Sequence, residues 1–291
     1  MIIIRLKDGM GNQLFQYAFG LNLAKKLGVD LKLDLSSLLD RSKGDFVYRD
    51  YDLSIFNIEA DFLTSPRLLK NLYRFKSSTI TKLVRNKINK GRHFIKETDF
   101  HYQANLIDQA TSNSIYEGWF QSERYFEDVK DILRKQFTFK NALLPKSQSL
   151  YCYIQNSNSI CLNVRRTDFL KVDTLNTTTK DYFLKAADYM AQKVKNPVFF
   201  IFSDDIEWCR KNILLNHPTK IVDHKHKGIK FGNYLQLMSH CKHFIIPNSS
   251  FAWWAVWLSQ NPGKIVIAPK NWFNDPAIDT TDLVQEDWVR L

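Results

Sequence analysis

The sequence of 291 residues predicts an α/β protein built on parallel sheets, and three observations support this. Apolar, strand-like runs alternate with segments of helical periodicity near the N-terminus. The alternation restarts after residue 158 and continues towards the end of the chain. Residues 141–158 are polar and contain Pro145, so we place a boundary there and predict domains 1–150 and 151–291. The length also fits one large α/β domain.

The N-terminal half begins with a strand, a glycine turn, a helix and a second strand. Residues 1–6 predict a buried strand, because the run is too short and becomes polar too early for a secretory signal. The turn at residues 8–12 contains two glycines, and apolar residues then recur at helical spacing from 13 to 27. Gly28 suits the end of that helix, and residues 29–35 predict the second strand. This order favours a parallel sheet.

The remaining elements follow along the chain. Residues 40–100 have an irregular pattern, residues 116–120 predict a strand leading into a loop, and residues 123–137 predict a helix. In the second half, strands alternate with helices as a parallel sheet requires. Strands are predicted at 159–164, 198–202, 220–222, 243–246 and 264–268, and helices at 181–194, 206–212, 234–241 and 251–259.

Composition restricts the class of protein. Hydrophobic residues make up 44% of the chain and charged residues 24%, which is the balance of a folded domain. No segment approaches the roughly 18–20 consecutive apolar residues of a membrane span. The four cysteines form no CxxC pair or Cys/His cluster typical of zinc. In the absence of a secretory signal, they predict reduced core thiols in a cytoplasmic protein.

Basic residues are concentrated in one stretch of the first half. The net charge of +11 attracts nucleic acid, anionic membranes or phosphorylated small molecules. Between Arg67 and Lys96 there are ten Lys or Arg residues and no Asp or Glu, with apolar residues interleaved. This pattern suits a surface lying on anionic lipid or, as we favour, two helices that pack on their own domain. No RNA-binding or helix-turn-helix signature accompanies it, so we expect no nucleic-acid partner.

Two adjacent arginines follow the first predicted strand of the second half. Because guanidinium groups bind phosphate oxygens bidentately, Arg165 and Arg166 suit a phosphorylated ligand. Asp168 either orients an arginine or accepts a hydrogen bond from a ribose hydroxyl, and a purely structural Arg–Asp168 ion pair is the alternative. Open α/β sheets bind ligands at the carboxyl ends of their strands, so this position favours a binding site.

Three further turns follow predicted strands in the same way. The helix start at residues 248–250 suits an anion, or only caps the helix. The glycine turn at residues 8–13 permits close approach to a ligand, or is an ordinary tight turn. Residues 203–205 suit sugar hydroxyls, a base edge or a metal, or cap the next helix. No histidine has metal-ligand spacing, and residues 224–227 are expected to form an exposed loop.

Six sequence blocks occur in order and together resemble the bacterial α-1,2-fucosyltransferases of glycosyltransferase family 11. GMGNQLFQYA at 9–18 and IIPNSSFAWW at 245–254 resemble strong blocks of that family. The Arg165-Arg166-x-Asp168 element resembles the donor motif shared by α-1,2-, α-1,6- and protein-O-fucosyltransferases. The blocks GWFQ at 118–121, FSDD at 202–205 and APKNW at 268–272 also fit, so the resemblance covers residues 1 to about 275.

The resemblance implies a GT-B-like fold of two Rossmann-like domains, with the acceptor on the first, the donor on the second and the donor site in the cleft. It also implies GDP-fucose as donor, inversion at the fucose anomeric carbon, and no required metal or other cofactor. Arg165 is then implied to be catalytic, because a positive charge must stabilise the leaving diphosphate where no metal does so. The implied donor-binding residues are Gly11, Asn12, Gln13, Asn163, Arg165, Arg166, Asp168, Ser203, Asp204, Asp205, Tyr234, Asn248, Ser249, Ser250 and Phe251.

Two positions depart from the family pattern. Most members have His where this chain has Asn163 and Asp where it has Tyr234, and related fucosyltransferases read the guanine with these positions. Asn163 still offers hydrogen bonds to a base, Tyr234 offers a stacking surface, and Asn233 stands beside it. An altered guanine site, a different nucleotide and a related deoxysugar all remain open.

We expect transfer of fucose from GDP-fucose to O2 of a terminal galactose in a surface polysaccharide of the O-antigen type. A lipid-linked acceptor and peripheral contact through residues 67–96 would place the enzyme at the inner face of the cytoplasmic membrane. Asp8, beside the glycine turn, is the candidate base for the acceptor hydroxyl. The alternatives are a glycosyltransferase of the same fold that uses another nucleotide deoxysugar, and a non-catalytic basic protein that binds membrane or nucleic acid.

Overall fold

The computed structural model describes residues 1–42 and 48–291. The chain forms two compact units, and each is built on its own parallel sheet. No helix in this described part of the chain is long and apolar enough to cross a bilayer. The first unit consists of residues 1–138 and 279–283, and the second of residues 139–278 and 284–291.

The polar segment 141–158 belongs to the second unit, whereas the sequence placed the boundary within it, at residue 150. The segment contains a helix, Gln148–Gln155, whose side chains Leu150 and Ile154 are buried. Because this helix packs on the strand that follows it, the units separate after Thr138. The exposed side of the helix carries Gln148, Ser149 and Gln155, and the other polar residues of the segment lie before and after the helix.

Strands and helices alternate in both units, and we number them in chain order. The strands are β1 (Ile2–Arg5), β2 (Leu31–Asp34), β3 (His93–Lys96), β4 (Ser114–Glu117), β5 (Asn158–Val164), β6 (Pro197–Ser203), β7 (Thr219–Ile221), β8 (His243–Ile245), β9 (Val266–Ala268) and β10 (Val289–Arg290). The α-helices are α1 (Met10–Leu27), α2 (Pro66–Tyr73), α3 (Ser78–Asn89), α4 (Asn105–Asp108), α5 (Lys130–Gln136), α6 (Gln148–Gln155), α7 (Lys180–Lys193), α8 (Ile206–Asn212), α9 (Gly232–Ser239) and α10 (Ser250–Leu258).

The first unit confirms the predicted strand–helix–strand opening. Its sheet has the order β2-β1-β4-β3, and every pairing is parallel. Helix α1 lies so close to β1 that a Cβ atom on Gly20 would sit 2.2 Å from Cγ1 of Ile4, so only glycine fits there. Gly28 ends the helix with a φ of 63°, and its amide donates to the carbonyl oxygens of Ala24 and Lys25.

Helix α1 begins at Met10, three residues earlier than predicted. Gly9 is the N-cap in extended conformation, and Asp8 before it has a φ of 62°. The glycine turn is therefore shorter than the sequence suggested. Gly11, Asn12 and Gln13 lie in the first helical turn rather than in a loop.

The second unit contains a six-stranded parallel sheet in the order β10-β9-β8-β5-β6-β7. Helix α7 covers one part of it, because its buried side chains Phe183, Ala186 and Met190 pack with the sheet residues Leu162 and Ile201. The predicted strands of this half are all present. Strand β10 was not predicted, because two residues are too few to show an alternating pattern.

In the second sheet, the order of strand addition reverses once along the chain, between β5 and β8. Connections from neighbouring strands leave in opposite directions at such a point and open a crevice at the carboxyl ends of the strands. The second unit therefore has a place where its topology favours a ligand.

Regular structure also occurs where the sequence pattern looked irregular. Residues 40–100 contain α2, α3 and β3, and the two helices bury Leu69, Tyr73 and Ile88. The predicted helix 123–137 consists of a 3-10 stretch over Glu123–Val129, which is kinked at Phe126 with a φ of −139°, followed by α5.

The cysteines follow the prediction of buried thiols with one exception. Cys161, Cys209 and Cys241 are buried, and burial raises the pKa of the Cys209 thiol to about 11. Cys152 lies on the outer side of α6 and is exposed, so the prediction of a core thiol is wrong there. All four cysteines are free thiols.

A buried ion cluster joins the carboxyl ends of three strands in the first sheet. The guanidinium of Arg5 contacts Asp34 at 2.6 Å, Glu117 at 3.2 Å and the side-chain oxygen of Asn89 at 2.8 Å. The side chains of Arg5 and Asp34 are 3% and 0% exposed, so each carries its charge away from water. Ser36 donates two further hydrogen bonds to Asp34. Such a cluster is stable only while every member is present.

Replacing Arg5 by leucine is expected to lower the free energy of unfolding by about 3–5 kcal/mol, because Asp34 then stays buried without its counter-charge. Urea denaturation followed by circular dichroism measures the change. The control is Lys26→Gln, which breaks the exposed Lys26–Asp108 pair at 3.4 Å and should cost less than about 1 kcal/mol. Equal losses in the two variants would contradict the role given to the cluster.

Candidate active site

In the second unit, three polar turns leave neighbouring strands at one edge of the sheet. Strand β5 pairs with β6 on one side and with β8 on the other, so the turns after these strands are adjacent. Val164 lies opposite Ser203, and Leu162 lies opposite Ile245. The sheet therefore brings together the arginine pair, the aspartate pair and the serine turn that the sequence predicted separately.

Arg165 lies between two carboxylates. Its guanidinium contacts Asp168 at 2.5 Å and Asp204 at 3.3 Å, and its carbon atom Cζ lies 5.6 Å from the ring centre of Phe169. The Arg–Asp168 ion pair that was the structural alternative is therefore present. The Arg165 side chain is still 28% exposed, so part of its guanidinium faces solvent and is accessible to an anion.

Asp204 holds the backbone of the arginine turn. Its carboxylate accepts hydrogen bonds from the backbone amides of Arg166 at 3.0 Å and Thr167 at 3.1 Å, and from the Thr167 hydroxyl at 2.6 Å. Its side chain is only 12% exposed. These contacts occupy most of its acceptor sites, so Asp204 positions the turn.

Arg166 is held by stacking. Its guanidinium lies 3.8 Å from the ring centre of Trp208, and its Nε lies 3.5 Å from Asp205. That Nε is buried and has no hydrogen-bond partner in the described part of the chain. Asp205 caps α8 by accepting from the amide of Trp208 at 3.1 Å, which confirms the capping alternative for this aspartate. The Ser203 hydroxyl accepts from the amide of Asp205 at 2.9 Å.

The N-terminus of α10 lacks a side-chain cap from its N-cap residue in the part of the chain that the structure describes. Ser249 occupies the N-cap position, yet its hydroxyl makes no capping hydrogen bond, so the capping alternative is wrong for this side chain. Asn248 before it is anchored, because its amide nitrogen donates to the carbonyl oxygens of Leu175 and Trp272, both at 2.9 Å. A helix start with free amides attracts anions. Ser250 and Phe251 follow in its first turn.

The two positions that depart from the family pattern both bond to backbone carbonyl groups. The Asn163 amide donates to the carbonyl oxygen of Phe202 at 3.0 Å. The Tyr234 hydroxyl donates to the carbonyl oxygen of Val222 at 2.8 Å, and burial raises its pKa. The Tyr234 ring is 3% exposed and packs edge-on against Phe202, so it offers no free stacking face.

Asn233 is fully engaged inside the unit. Its oxygen accepts from the amide of Leu144 at 2.9 Å, and its nitrogen donates to the Ser147 hydroxyl at 3.0 Å and to the carbonyl oxygen of His226 at 2.6 Å. Ser147 also bonds to the His226 ring at 2.9 Å. Asn233 therefore holds the His226 segment in place, and its suggested help with a base is wrong.

A cavity of about 350 Å³ opens beside the aspartate pair. Sequence reasoning missed most of its lining, although Asp223 follows strand β7 at the same sheet edge and the strand-end rule applied there too. His224 bonds through its ring to the carbonyl oxygen of Ser203 at 3.0 Å, and His226 is buried, so the predicted exposed loop at 224–227 is wrong. The lining residues are Asp204, Asp205, Ile206, Glu207, Arg210, Asp223 and His224.

In the first unit, the indole of Trp119 fixes Asp8. Its Nε1 donates to Oδ2 of Asp8 at 2.8 Å, and the ammonium group of Lys7 lies 3.3 Å from the Trp119 ring centre. Burial lowers the pKa of Lys7. Phe100 stacks on Trp119 with ring centres 4.8 Å apart. Trp119 was part of a recognised block, but its contact with Asp8 was not predicted.

Asn12 and Gln13 have different environments. Asn12 is partly exposed, and its side-chain oxygen accepts from Gln121 at 2.7 Å. Gln13 is fully buried, and its amide bonds to the backbone of Asp8, Asp50 and Asp52. The Gln13 side chain thus ties two loops together. Gly11 is also buried.

Among residues 1–42 and 48–291, no group of three or more His, Cys, Asp or Glu side chains is arranged to hold a metal ion. The carboxylates at the arginine turn are instead bonded to arginines and backbone amides.

Comparison with known proteins identifies the family. The whole chain, residues 1–291, matches the model described as Glycosyl transferase family 11. It is 33% identical to an alpha-1,2-colitosyltransferase of Escherichia coli over 100% of this chain and 99% of that protein. It is 28% identical to the O-antigen biosynthesis glycosyltransferase WbnK of Escherichia coli, over 98% of this chain and 99% of WbnK.

A solved structure shows the same fold at low sequence identity. NodZ alpha-1,6-fucosyltransferase from Bradyrhizobium, co-crystallised with GDP, superposes with a TM-score of 0.51 at 15% identity, covering 88% of this chain and 92% of NodZ. The predicted GT-B-like α/β fold is thereby confirmed, and the family match confirms the predicted hexosyltransferase class. The chain belongs to glycosyltransferase family 11.

Proposed function

We propose that this glycosyltransferase moves L-fucose from GDP-fucose to O2 of a terminal galactose, with inversion at the fucose anomeric carbon. The observation that carries the proposal is the convergence of Arg165, Arg166 and the uncapped start of α10 where strand order reverses in the second sheet. We assign the donor to the second unit and the acceptor to the first. The name of the relative WbnK supports an acceptor of the O-antigen type.

The arginine turn suits a leaving diphosphate. As the bond between the sugar and phosphate breaks, negative charge grows on the phosphate oxygens, and preorganised positive groups lower that barrier. Arg165 supplies a partly exposed guanidinium, and the free amides of α10 add the positive end of a helix dipole. We propose that these groups neutralise the diphosphate without a metal, with Ser249, Ser250 and Phe251 around its oxygens.

The acidic cavity supports GDP as the nucleotide. The Watson–Crick edge of guanine carries the N1–H and N2–H donors, which match carboxylate acceptors. Asp223 and Glu207 line the cavity together with His224 and Arg210. We propose that these residues recognise the nucleoside, because Asn163 and Tyr234 are already bonded to backbone carbonyl groups.

GDP-colitose is a second donor to test, because the relative at 33% identity is named as a colitosyltransferase. Colitose is 3-deoxy-L-fucose, so the two donors differ by one hydroxyl group. A pocket that does not bond to this hydroxyl discriminates weakly, whereas one that does discriminates strongly. The second candidate function is therefore α-1,2-colitosyl transfer from GDP-colitose.

The proposed reaction is a single displacement. The acceptor O2–H attacks C1 of the sugar, the bond from C1 to the phosphate oxygen breaks, and GDP leaves with the electron pair. The proton passes to Asp8, whose position is fixed through Trp119. Among the described residues, no donor contacts its other oxygen, Oδ1, which is then free to take the proton.

Calorimetric titration with GDP, UDP and ADP tests the nucleotide. Selective binding of GDP is expected, and transfer from GDP-fucose and GDP-colitose to a galactoside then identifies the sugar from the ratio of kcat/KM values. Preference for UDP or ADP would overturn the proposed donor, and absence of binding to all three would overturn the donor site itself.

Arg165→Ala is expected to lower kcat/KM by about 10²–10³-fold, because the developing charge on the diphosphate loses a donor. Initial rates at several donor concentrations and an unfolding curve measure activity and fold separately. The matched control is Lys211→Ala, which removes an exposed cation from α8 outside the cavity and should leave activity unchanged. Near-normal transfer by a folded Arg165→Ala variant would rule out the clamp.

Asp8→Asn is expected to lower kcat by about 10²–10⁴-fold with little change in GDP affinity, because the amide keeps its shape but does not accept the proton. Its side-chain oxygen can still accept from Trp119, so the local structure should persist. Asp30→Asn, an exposed change before β2, serves as the control. If kcat in Asp8→Asn equals that of the control, Asp8 is not the base.

A further inference from the structure

Helices α2 and α3 are attached to the first unit by few side chains. The buried ones are Leu69 and Tyr73 on α2, and Thr81 and Ile88 on α3. Ser77 caps α3 by accepting from the amide of Ile80. These contacts agree with the favoured prediction of helices packed on their own domain, but they use only part of the apolar content of the stretch.

Three large apolar side chains on α2, α3 and the turn between them face solvent. Leu68 is 52% exposed, Phe75 is 73% exposed and Leu83 is 63% exposed. Leu68 and Phe75 are separated by two helical turns, and Leu83 is flanked by the exposed Lys82 and Lys87. One side of these helices is therefore buried against the first unit, whereas the other side carries apolar side chains that no other described part of the unit covers.

The outer side is also strongly basic. Between Arg67 and Lys96 there are ten cationic residues and no acidic one. Arg85 pairs with Asp40 at 3.5 Å, and Arg92 bonds to the carbonyl oxygen of Ile88. The others on α2, α3 and the turns beside them form no ion pair with any described residue: Arg67, Lys70, Arg74, Lys76, Lys82, Lys87 and Lys90.

We infer that this basic-apolar face, comprising Leu68, Phe75, Leu83 and the seven cations just named, docks on an anionic lipid bilayer. Cations beside a membrane are attracted by its negative surface potential, and apolar side chains between them enter the headgroup region. The phosphates of a nucleic acid would pair with the cations, but a nucleic acid offers no matching surface to the aliphatic side chains of Leu68 and Leu83. Its exposed apolar surface consists of base faces, which stack on aromatic rings.

Co-sedimentation with vesicles of phosphatidylcholine, with and without phosphatidylglycerol, tests this inference. The whole protein is expected to bind the anionic vesicles selectively and less strongly as salt rises. The triple change Lys82→Gln, Lys87→Gln and Lys90→Gln should weaken binding by about a hundredfold, since each cation near the surface contributes about 1 kcal/mol. The triple change Leu68→Ser, Phe75→Ser and Leu83→Ser should weaken it more than tenfold.

Matched controls change the same residue types elsewhere. Lys185→Gln, Lys195→Gln and Lys211→Gln remove three exposed cations from the second unit, and Leu214→Ser with Ile229→Ser removes apolar groups that are 73% and 74% exposed. These variants should bind vesicles as the parent does. Three results would each overturn the inference. They are an equal loss of vesicle binding in the control and test variants, equal binding of the parent protein to neutral and anionic vesicles, and tighter binding to an RNA oligomer than to anionic vesicles. GDP affinity should be unchanged in all variants, so the result is independent of the proposed donor.

Discussion

Asp204 accepts hydrogen bonds from the backbone amides of Arg166 and Thr167, and it is also a counter-ion of Arg165. Through this one carboxylate, the turn after β6 fixes the shape of the turn after β5. Two adjacent guanidinium groups repel each other, so they need fixed negative partners to remain ordered when no ligand is present. Asp168 and Asp205 complete that arrangement on either side. The rest of the second unit's site depends on this contact between neighbouring strand ends.

The contact also explains how a site lined with carboxylates suits an anion. Each carboxylate contacts an arginine, while Arg165 and Arg166 keep 28% and 19% of their side chains exposed. Stacking on Trp208 limits the motion of Arg166 without using its outward N–H groups. A preorganised cation reorganises little as charge develops on a leaving group. The ion pairs are therefore compatible with ligand binding, although the sequence analysis treated a structural Arg–Asp168 ion pair as the alternative to a binding site.

Sequence reasoning located the strand ends well, because buried parallel strands are continuous apolar runs bounded by polar turns. It missed α6, since a short helix with few buried residues gains its stability from packing that no local pattern reveals. It misjudged residues 224–227 for a similar reason. Charged neighbours suggest a solvated loop, whereas His226 is buried by Ser147 and Asn233, which lie far from one another in sequence.

The two departures from the family pattern support one physical interpretation. Asn163 donates to the carbonyl oxygen of Phe202, and Tyr234 donates to that of Val222. These carbonyl groups directly precede the turns that carry Asp204 and Asp223, two residues of the acidic cavity. A buried side-chain donor that bonds to a strand-end carbonyl restricts the turn that follows. Under the proposed function, Asn163 and Tyr234 act on the nucleotide indirectly, because they position the carboxylates of the cavity. Asp223 and its neighbours then recognise the base in place of these two positions.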